Sequence, residues 1–185
     1  ALDRGLIEKA TVGEMDPAQP WRARPAIATD RASVLRAAQT KQQIIPSNAS
    51  LLPALRGTRG QRLGCVGVGC HHHGLRLLQL RYPQHRGSRG VAFQIGLFCY
   101  SNYYTLATEL LILERLGLDS LEQVARVEYR HGQPHGDFYV ETRDGRELTL
   151  SSQESTSSFF MRFFCRDRCL MCYDAPCTRA CPTHI

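Results

Sequence analysis

Cysteines are the residues in this chain with the clearest chemical potential. Five of the eight lie in the last stretch of the sequence: Cys165, Cys169, Cys172, Cys177 and Cys181. From Cys169 the spacing is C-x2-C-x4-C-x3-C-P, and short gaps of this kind let several thiolates converge on one iron–sulfur cluster. A structural zinc ion also binds close cysteine pairs. The run therefore predicts a metal site, with iron–sulfur favoured over zinc. A disulfide framework is the third interpretation, but nothing in the sequence marks a secreted protein.

Two further cysteines, Cys70 and Cys99, each follow an apolar segment typical of a strand. In an open α/β sheet, ligands bind at the carboxyl ends of the strands. Lone cysteines in such positions are often only small buried hydrophobic residues. Beside the close pair Cys169 and Cys172, however, they complete a predicted four-thiolate site.

The remaining cysteines are less favoured as ligands. Cys177 and Cys181 are alternative ligands, because with Cys169 and Cys172 the tail would supply four thiolates by itself. Cys65 lies within a predicted strand and is expected to be buried. Cys165 is expected to pack against a helix.

A glycine-rich turn lies between a strand that begins near Leu63 and a helix that runs to about Tyr82. Gly67, Gly69 and Gly74 bring free backbone N–H groups and a helix N-terminus together, which favours binding of a phosphate or a flavin edge. The spacing is not the dinucleotide-binding fingerprint, because the third glycine is displaced and no acidic residue follows at the required distance. Close packing of the backbone is the alternative interpretation.

His71, His72 and His73 follow that turn. Successive helical residues point about 100° apart, so the three cannot share one ion. At a helix N-terminus we expect neutral imidazoles, of which His71 is positioned to orient a cofactor and at least one is solvent-exposed. Lys41, in a polar loop, is a candidate partner for a phosphate or a flavin oxygen, although a lone lysine is more often solvated.

Composition narrows the class of protein. Most of the excess behind the net charge of +6 comes from arginines scattered through the first ninety positions. This favours an anionic cofactor or an acidic protein but is too diffuse for a nucleic-acid interface. No apolar run approaches the roughly 18 residues of a membrane span, and no signal peptide is present. We therefore expect a cytoplasmic protein, and a fragment, since the chain starts without Met.

The order of elements predicts an α/β fold with a mixed, mostly parallel sheet flanked by helices. Expected elements include strands at Leu6–Val12 and at Val91–Cys99, the second one buried, and a helix capped by Ser101 or Asn102. From Val124 the alternation predicts an antiparallel β appendage, followed by the cysteine loop. We divide the chain into a flavin-binding core (1–122), the appendage (123–158) and the iron–sulfur loop (159–185).

Six segments in order carry a resemblance to a known family. They are Gly5-Leu-Ile7; Arg24-Pro-Ala-Ile-Ala-Thr29; Thr40-Lys41 with Pro46-Ser-Asn48; Val66-Gly-Val-Gly-Cys70 with Gly74-Leu75; Ile95-Gly-Leu-Phe-Cys99; and Cys169-x2-Cys172-x-Asp174. In this order they resemble the beta subunit of coenzyme F420 hydrogenase/dehydrogenase. The run from Cys177 to Cys181 is similar instead to the ferredoxin-type domain of dihydropyrimidine dehydrogenase and the glutamate synthase small subunit.

The resemblance implies a flavin- and iron–sulfur-dependent oxidoreductase subunit. Cys70, Cys99, Cys169 and Cys172 would hold a [4Fe-4S] cluster near FAD, and electrons would pass to a hydride carrier such as coenzyme F420. A partner redox subunit, such as a hydrogenase or dehydrogenase, is also implied. Two alternatives from other classes remain at this point: a ferredoxin-like electron-transfer module without flavin, and a zinc-stabilised structural fragment.

Overall fold

The computed structural model describes residues 1–56, 62–99, 102–132, 136–151 and 163–170. The strands are β1 (Lys9–Met15), β2 (Ala23–Ala28), β3 (Leu63–Val68), β4 (Val91–Leu97), β5 (Val124–His131), β6 (Asp137–Thr142) and β7 (Glu147–Leu150). The α-helices are α1 (Arg31–Arg36), α2 (Leu51–Leu55), α3 (Gly69–Arg81), α4 (Arg86–Arg89), α5 (Thr105–Leu110) and α6 (Asp167–Leu170). Short 3-10 turns at Ser47–Ser50 and Leu121–Gln123 precede α2 and β5.

The first sheet has the strand order β2-β1-β3-β4. β1, β3 and β4 run parallel, and β2 pairs with β1 in the antiparallel direction. The carboxyl ends of the three parallel strands therefore lie along one edge of the sheet. The predicted α/β fold with a mixed, mostly parallel sheet is confirmed.

A local sequence signal explains where helix α1 begins. Asp30 caps α1 through a capping box, in which its carboxylate accepts from the Ser33 backbone N–H at 2.7 Å and Ser33 Oγ accepts from the Asp30 backbone N–H at 3.1 Å. The predicted first strand was placed too early, since β1 runs from Lys9 to Met15.

A strand is present within the predicted range Val91–Cys99, but the prediction that it is buried is wrong. Among the described residues β4 pairs only with β3 and is an edge strand of the sheet. Ile95 is 46%, Leu97 48% and Phe98 98% exposed. Apolar composition does not by itself separate an edge strand from a central strand.

The predicted capping of the next helix is also wrong for Asn102. The helix begins at Thr105, and Tyr104 occupies the N-cap position without a side-chain hydrogen bond. The carbonyl of Asn102 instead accepts a hydrogen bond from the backbone N–H of Arg166. Ser101 lies outside the described residues. After α5 the chain continues as a π turn, Leu111–Arg115, and Gly117 follows in the left-handed region at φ 70°.

The second sheet is an antiparallel meander with the order β5-β6-β7. α5 and the π turn pack on it, and Ile112, Val124 and Val140 are completely buried at their interface. Residues from the first half of the chain, Met15 and Trp21, pack against the same core. The two sheets are thus joined by a shared apolar core.

A buried polar network also connects the two halves, with the Gln43 side chain (2% exposed) at its centre. Gln43 Nε2 lies 2.7 Å from the Trp21 carbonyl oxygen, 2.9 Å from Thr108 Oγ1 and 2.6 Å from the Tyr129 hydroxyl. Its Oε1 accepts from the Ala23 N–H at 2.8 Å. Burial raises the pKa of Tyr129 to about 12, so its hydroxyl keeps its proton. The network fixes the loop 39–46 between the sheets.

In the part of the chain that the structure describes, no helix is both long and apolar enough to cross a membrane.

Candidate functional site

The start of the C-terminal cysteine segment pairs with residues 102–104. The Tyr104 N–H donates to the Phe164 carbonyl at 2.9 Å, and the Arg166 N–H donates to the Asn102 carbonyl at 3.1 Å. These two bonds pair residues 164–166 with residues 102–104, which follow Cys99 closely in the chain. Cys169 comes one turn later, with its N–H bonded to the Arg166 carbonyl at 2.7 Å. This pairing places the start of α6, the helix that contains Cys169, beside residues 102–104.

The thiols at the carboxyl ends of β3 and β4 are accessible. Cys70 is exposed in the first turn of α3, and Cys99 is exposed two residues beyond β4. Partial burial raises the pKa of Cys70, the Arg166 guanidinium opposes this shift, and an electrostatic interaction with Cys169 adds to it. The thiols of Cys70 and Cys169 therefore lie within electrostatic reach of each other.

The described residues do not complete a metal site. Within them, no group of three or more His, Cys, Asp or Glu side chains is close enough to hold an ion, so Cys70, Cys99 and Cys169 are not brought together as one ligand group. The fourth predicted ligand, Cys172, and the alternative ligands Cys177 and Cys181 lie outside the described residues. What the described residues offer is accessible thiols from separate chain segments at one edge of the sheet, which is the donor chemistry that an iron–sulfur cluster requires.

Two cysteines are unsuited to be ligands. Cys65 is 7% exposed within β3, and burial raises the pKa of its thiol, with a hydrogen bond to Thr11 opposing the shift. Cys165 is 5% exposed in the core of the second sheet. Cys165 forms a β-bridge with Tyr103 and belongs to the same apolar cluster as Ala107 of α5, which agrees with the expected packing against a helix.

The glycine turn is filled by side chains of the protein itself. A Cβ on Gly67 would meet the His71 ring at 3.0 Å, and a Cβ on Gly74 would meet the Asn48 amide nitrogen at 3.0 Å. Asn48 also donates to the His71 carbonyl at 3.0 Å, and Gly69 is buried. The His71 ring thus occupies the space beside Gly67, and the Asn48 amide occupies the space beside Gly74. A flavin bound there would have to displace both side chains.

The three histidines take three different environments. His72 is buried, with Nε2 3.0 Å from the carbonyl oxygens of both Gly67 and Ile95, so Nε2 carries a proton and joins β3 to β4. His71 is partly buried and its pKa is lowered by burial, with the Ile45 carbonyl opposing the shift. His73 is exposed. The expectation that at least one of the three is solvent-exposed is met by His73.

Among the described residues His71 Nδ1 is a buried ring nitrogen without a hydrogen-bond partner. Its ring also lies within the field of the Arg166 guanidinium. The role of His71 in orienting a cofactor stays a prediction.

Lys41 caps the C-terminus of α1. Its ammonium donates to the Ala37 carbonyl at 2.5 Å, to the Ala38 carbonyl, and to the Gln39 carbonyl at 3.1 Å. Burial lowers its pKa to about 8, and the Glu14 carboxylate opposes the shift. Since three carbonyls occupy its three N–H groups, Lys41 offers a ligand its charge rather than a free donor.

An open cavity of about 390 Å³ lies beside Lys41, between the end of α1 and β5. Its charged lining residues are Arg36, Lys41, Arg126, Asp16 and Glu128. It is difficult to predict from the sequence, because its walls come from three separate segments of the chain. The alternating Arg126 and Glu128 on one strand were the available signal, since both point to the same side of a strand.

The fold and the site define a class: a two-sheet α/β protein with accessible cysteines at the carboxyl edge of its parallel strands. Comparison with known protein families identifies the family to which this class corresponds. Residues 1–52 match the N-terminal model and residues 60–180 the C-terminal model of the coenzyme F420 hydrogenase/dehydrogenase beta subunit. The chain belongs to this family, as its motifs predicted.

Individual relatives support the assignment. The chain is 32% identical over 152 residues to the coenzyme F420 hydrogenase subunit beta of Methanosarcina barkeri, covering 81% of this chain and 50% of the relative. The corresponding subunit of Methanothermobacter thermautotrophicus is 33% identical over 149 residues, covering 78% and 50%. The chain therefore spans about half the length of these curated relatives.

A solved structure is also similar to the chain. It is the F420-reducing [NiFe] hydrogenase complex from Methanosarcina barkeri, in which the matching chain superimposes with a TM-score of 0.69 at 27% identity. The match covers 93% of this chain and 55% of the other.

Proposed function

We propose that this chain belongs to a redox subunit that passes electrons between a [4Fe-4S] cluster and an organic hydride carrier such as coenzyme F420, through FAD. Cys70, Cys99, Cys169 and Cys172 are the proposed cluster ligands. A hydrogenase or dehydrogenase subunit is the proposed partner. The family assignment and the similarity to chains of F420 hydrogenases support this proposal.

The observation that carries the proposal is the pairing of residues 164–166 with residues 102–104. A C-x2-C pair supplies two thiolates, and a four-thiolate cluster needs two more. The backbone bonds at Asn102 and Tyr104 hold the start of α6 against the segment that follows Cys99, and the thiols of Cys70 and Cys169 interact electrostatically. These contacts support a shared site to which Cys70, Cys99 and the C-terminal cysteine pair would each contribute thiolates.

The chain's own residues would shape such a centre. The first turn of α3 presents Cys70, and the buried His72 holds that turn against β3 and β4 through the Gly67 and Ile95 carbonyls. Arg166 contributes positive charge beside the thiols, and positive charge favours the thiolate form that metals bind. When bound, FAD would exchange single electrons with the cluster and two electrons with the hydride carrier.

The proposal is tested by the composition of the full chain after anaerobic purification. We expect about four irons per chain, the number in one [4Fe-4S] cluster, no stoichiometric zinc, and a flavin absorption spectrum that is bleached by reductant. Iron without flavin would favour the ferredoxin-like module. Zinc in place of iron would favour the structural fragment, and either result would contradict the proposal.

A further inference from the structure

The side chain of His72 joins the two strand ends that lead to Cys70 and Cys99. His72 is 4% exposed, and its Nε2 lies 3.0 Å from the carbonyl oxygens of both Gly67 and Ile95. Gly67 lies near the end of β3, so its contact with the ring closes the turn that contains Cys70. Ile95 lies in β4 and precedes Cys99 by four residues. One ring nitrogen therefore contacts the backbone of both strands.

Gln94, in β4, contacts the other nitrogen of the same ring. Its Oε1 lies 2.8 Å from His72 Nδ1, so both ring nitrogens have polar partners. The ring also lies against the backbone of β4, because a Cβ added to Gly96 would be 3.8 Å from His72 Cδ2. Polar contacts at both nitrogens, together with packing against the strand, hold the ring in one orientation.

The carboxyl end of β4 has little cover from the rest of the described fold. Within the described residues this strand pairs only with β3, and the pairing ends at Leu97. Leu97 is 48% and Phe98 98% exposed. In the same part of the chain, the side-chain hydrogen bonds that connect α3 with β4 are those of His72. The ring is therefore a direct link between the helix that presents Cys70 and the strand that leads to Cys99.

We propose that His72 and Gln94 act as a positioning pair for the two cysteines at the strand ends. Gln94 orients the ring, and the Nε2–H of His72 keeps the turn around Cys70 at a fixed distance from β4. Both residues act through the backbone rather than as ligands. Replacing residues that orient metal ligands in this indirect way typically changes metal affinity about 10- to 100-fold. The presence of a metal rests on the proposed function, whereas the link between the strands does not.

Four single variants and one double variant of the full chain test the pair. His72→Leu removes both ring nitrogens, whereas His72→Gln keeps an amide with two N–H donors for the two carbonyls. Gln94→Leu removes only the contact at Nδ1, and His72→Leu/Gln94→Leu combines the two changes. His73→Leu is the matched control, because His73 lies in the same helix and is exposed.

Amide hydrogen exchange of the metal-free chain, followed by mass spectrometry, measures the link itself. We expect His72→Leu to speed exchange at the carboxyl ends of β3 and β4 about 5- to 30-fold, the effect of losing one or two buried hydrogen bonds. Exchange in β5 and β6 should not change. Gln94→Leu should give a smaller increase, and adding it to His72→Leu should give no further one, because the ring that it orients is gone. His72→Gln and His73→Leu should exchange like the wild type.

The rate at which a chelator removes iron from the anaerobically purified chain measures the consequence for the ligands. We expect His72→Leu to lose iron about 10- to 100-fold faster than the wild type. His72→Gln should restore the slow rate, because its amide can still donate to the carbonyls of Gly67 and Ile95. A purely structural role of the ring would instead speed exchange in both sheets alike.

Unchanged exchange in His72→Leu, or equally faster exchange in both sheets, would overturn the positioning pair. Iron release at the wild-type rate from a variant whose strand ends exchange faster would overturn it as well. If His72→Leu does not fold, Gln94→Leu and His72→Gln provide the same comparison. A wild-type chain without iron would contradict the proposed function, and the exchange rates would still decide whether the pair links the two strands.

Discussion

Replacing Cys70 or Cys99 by serine is expected to remove the iron from the protein. Both thiols are exposed at the carboxyl edge of the sheet, and each would supply one of four ligands. A serine hydroxyl is a poor substitute for a thiolate, and a cluster with three ligands is readily lost. We expect iron to fall from about four per chain to less than about one, by analogy with clusters that require four cysteines.

Cys65→Ser provides the matched control. Cys65 lies in β3 only a few residues before Cys70, but its thiol is buried and protonated. Iron content and circular dichroism of the three variants are compared after anaerobic purification. If Cys70→Ser and Cys99→Ser keep full iron while remaining folded, the shared four-cysteine site is wrong.

Gln43→Leu is expected to lower the free energy of unfolding by about 3–5 kcal/mol. The substitution leaves the Trp21 carbonyl and the Ala23 N–H buried without their partner, and each unsatisfied buried group costs about 1–3 kcal/mol. It also removes the amide from the Thr108 and Tyr129 hydroxyls, which remain 2.6 Å apart and can bond to each other. A loss of this size is a large part of the roughly 5–15 kcal/mol that stabilises a typical domain.

Urea denaturation measures this loss, with Gln84→Leu as the control. Gln84 is exposed, and within the described part of the chain its side chain accepts a hydrogen bond from Arg89 alone, at 3.2 Å, so its replacement should change stability by less than about 0.5 kcal/mol. Equal stability of the two variants would show that the network does not join the two sheets.

Much of the fold could be predicted from local signals. The capping box at Asp30 and Ser33 marks the start of α1, and the Asp144-Gly145 turn lies between β6 and β7, with Gly145 at φ 84°. These features depend on neighbouring residues, so the sequence contains the information needed to recognise them. The family was predicted from ordered motifs in the same way.

Other features depend on contacts that are distant in sequence. The apolar segment of β4 fits a central strand as well as an edge strand, and only the sheet order decides between them. Gln43 looks like an ordinary loop residue, but its partners are 20 to 86 positions away. The glycines at 67 and 74 were expected to admit a ligand, and in the structure His71 and Asn48 fill the space beside them.

Only part of the candidate site could be predicted from the sequence. Cysteine types and spacing predicted the donor chemistry, and the accessible thiols of Cys70 and Cys99 are compatible with it. The cavity beside Arg36 could not be predicted, because its walls come from β1, α1 and β5. The proposed ligand set and the division into three domains stay predictions.

The most direct test of the proposed site is the iron content of a Cys177→Ser/Cys181→Ser double variant of the full chain. If the ligands are Cys70, Cys99, Cys169 and Cys172, this variant should keep the same iron per chain as the wild type. Loss of about four irons, one [4Fe-4S] cluster, would show that the C-terminal run binds the cluster by itself and would contradict the four-cysteine site at the edge of the sheet.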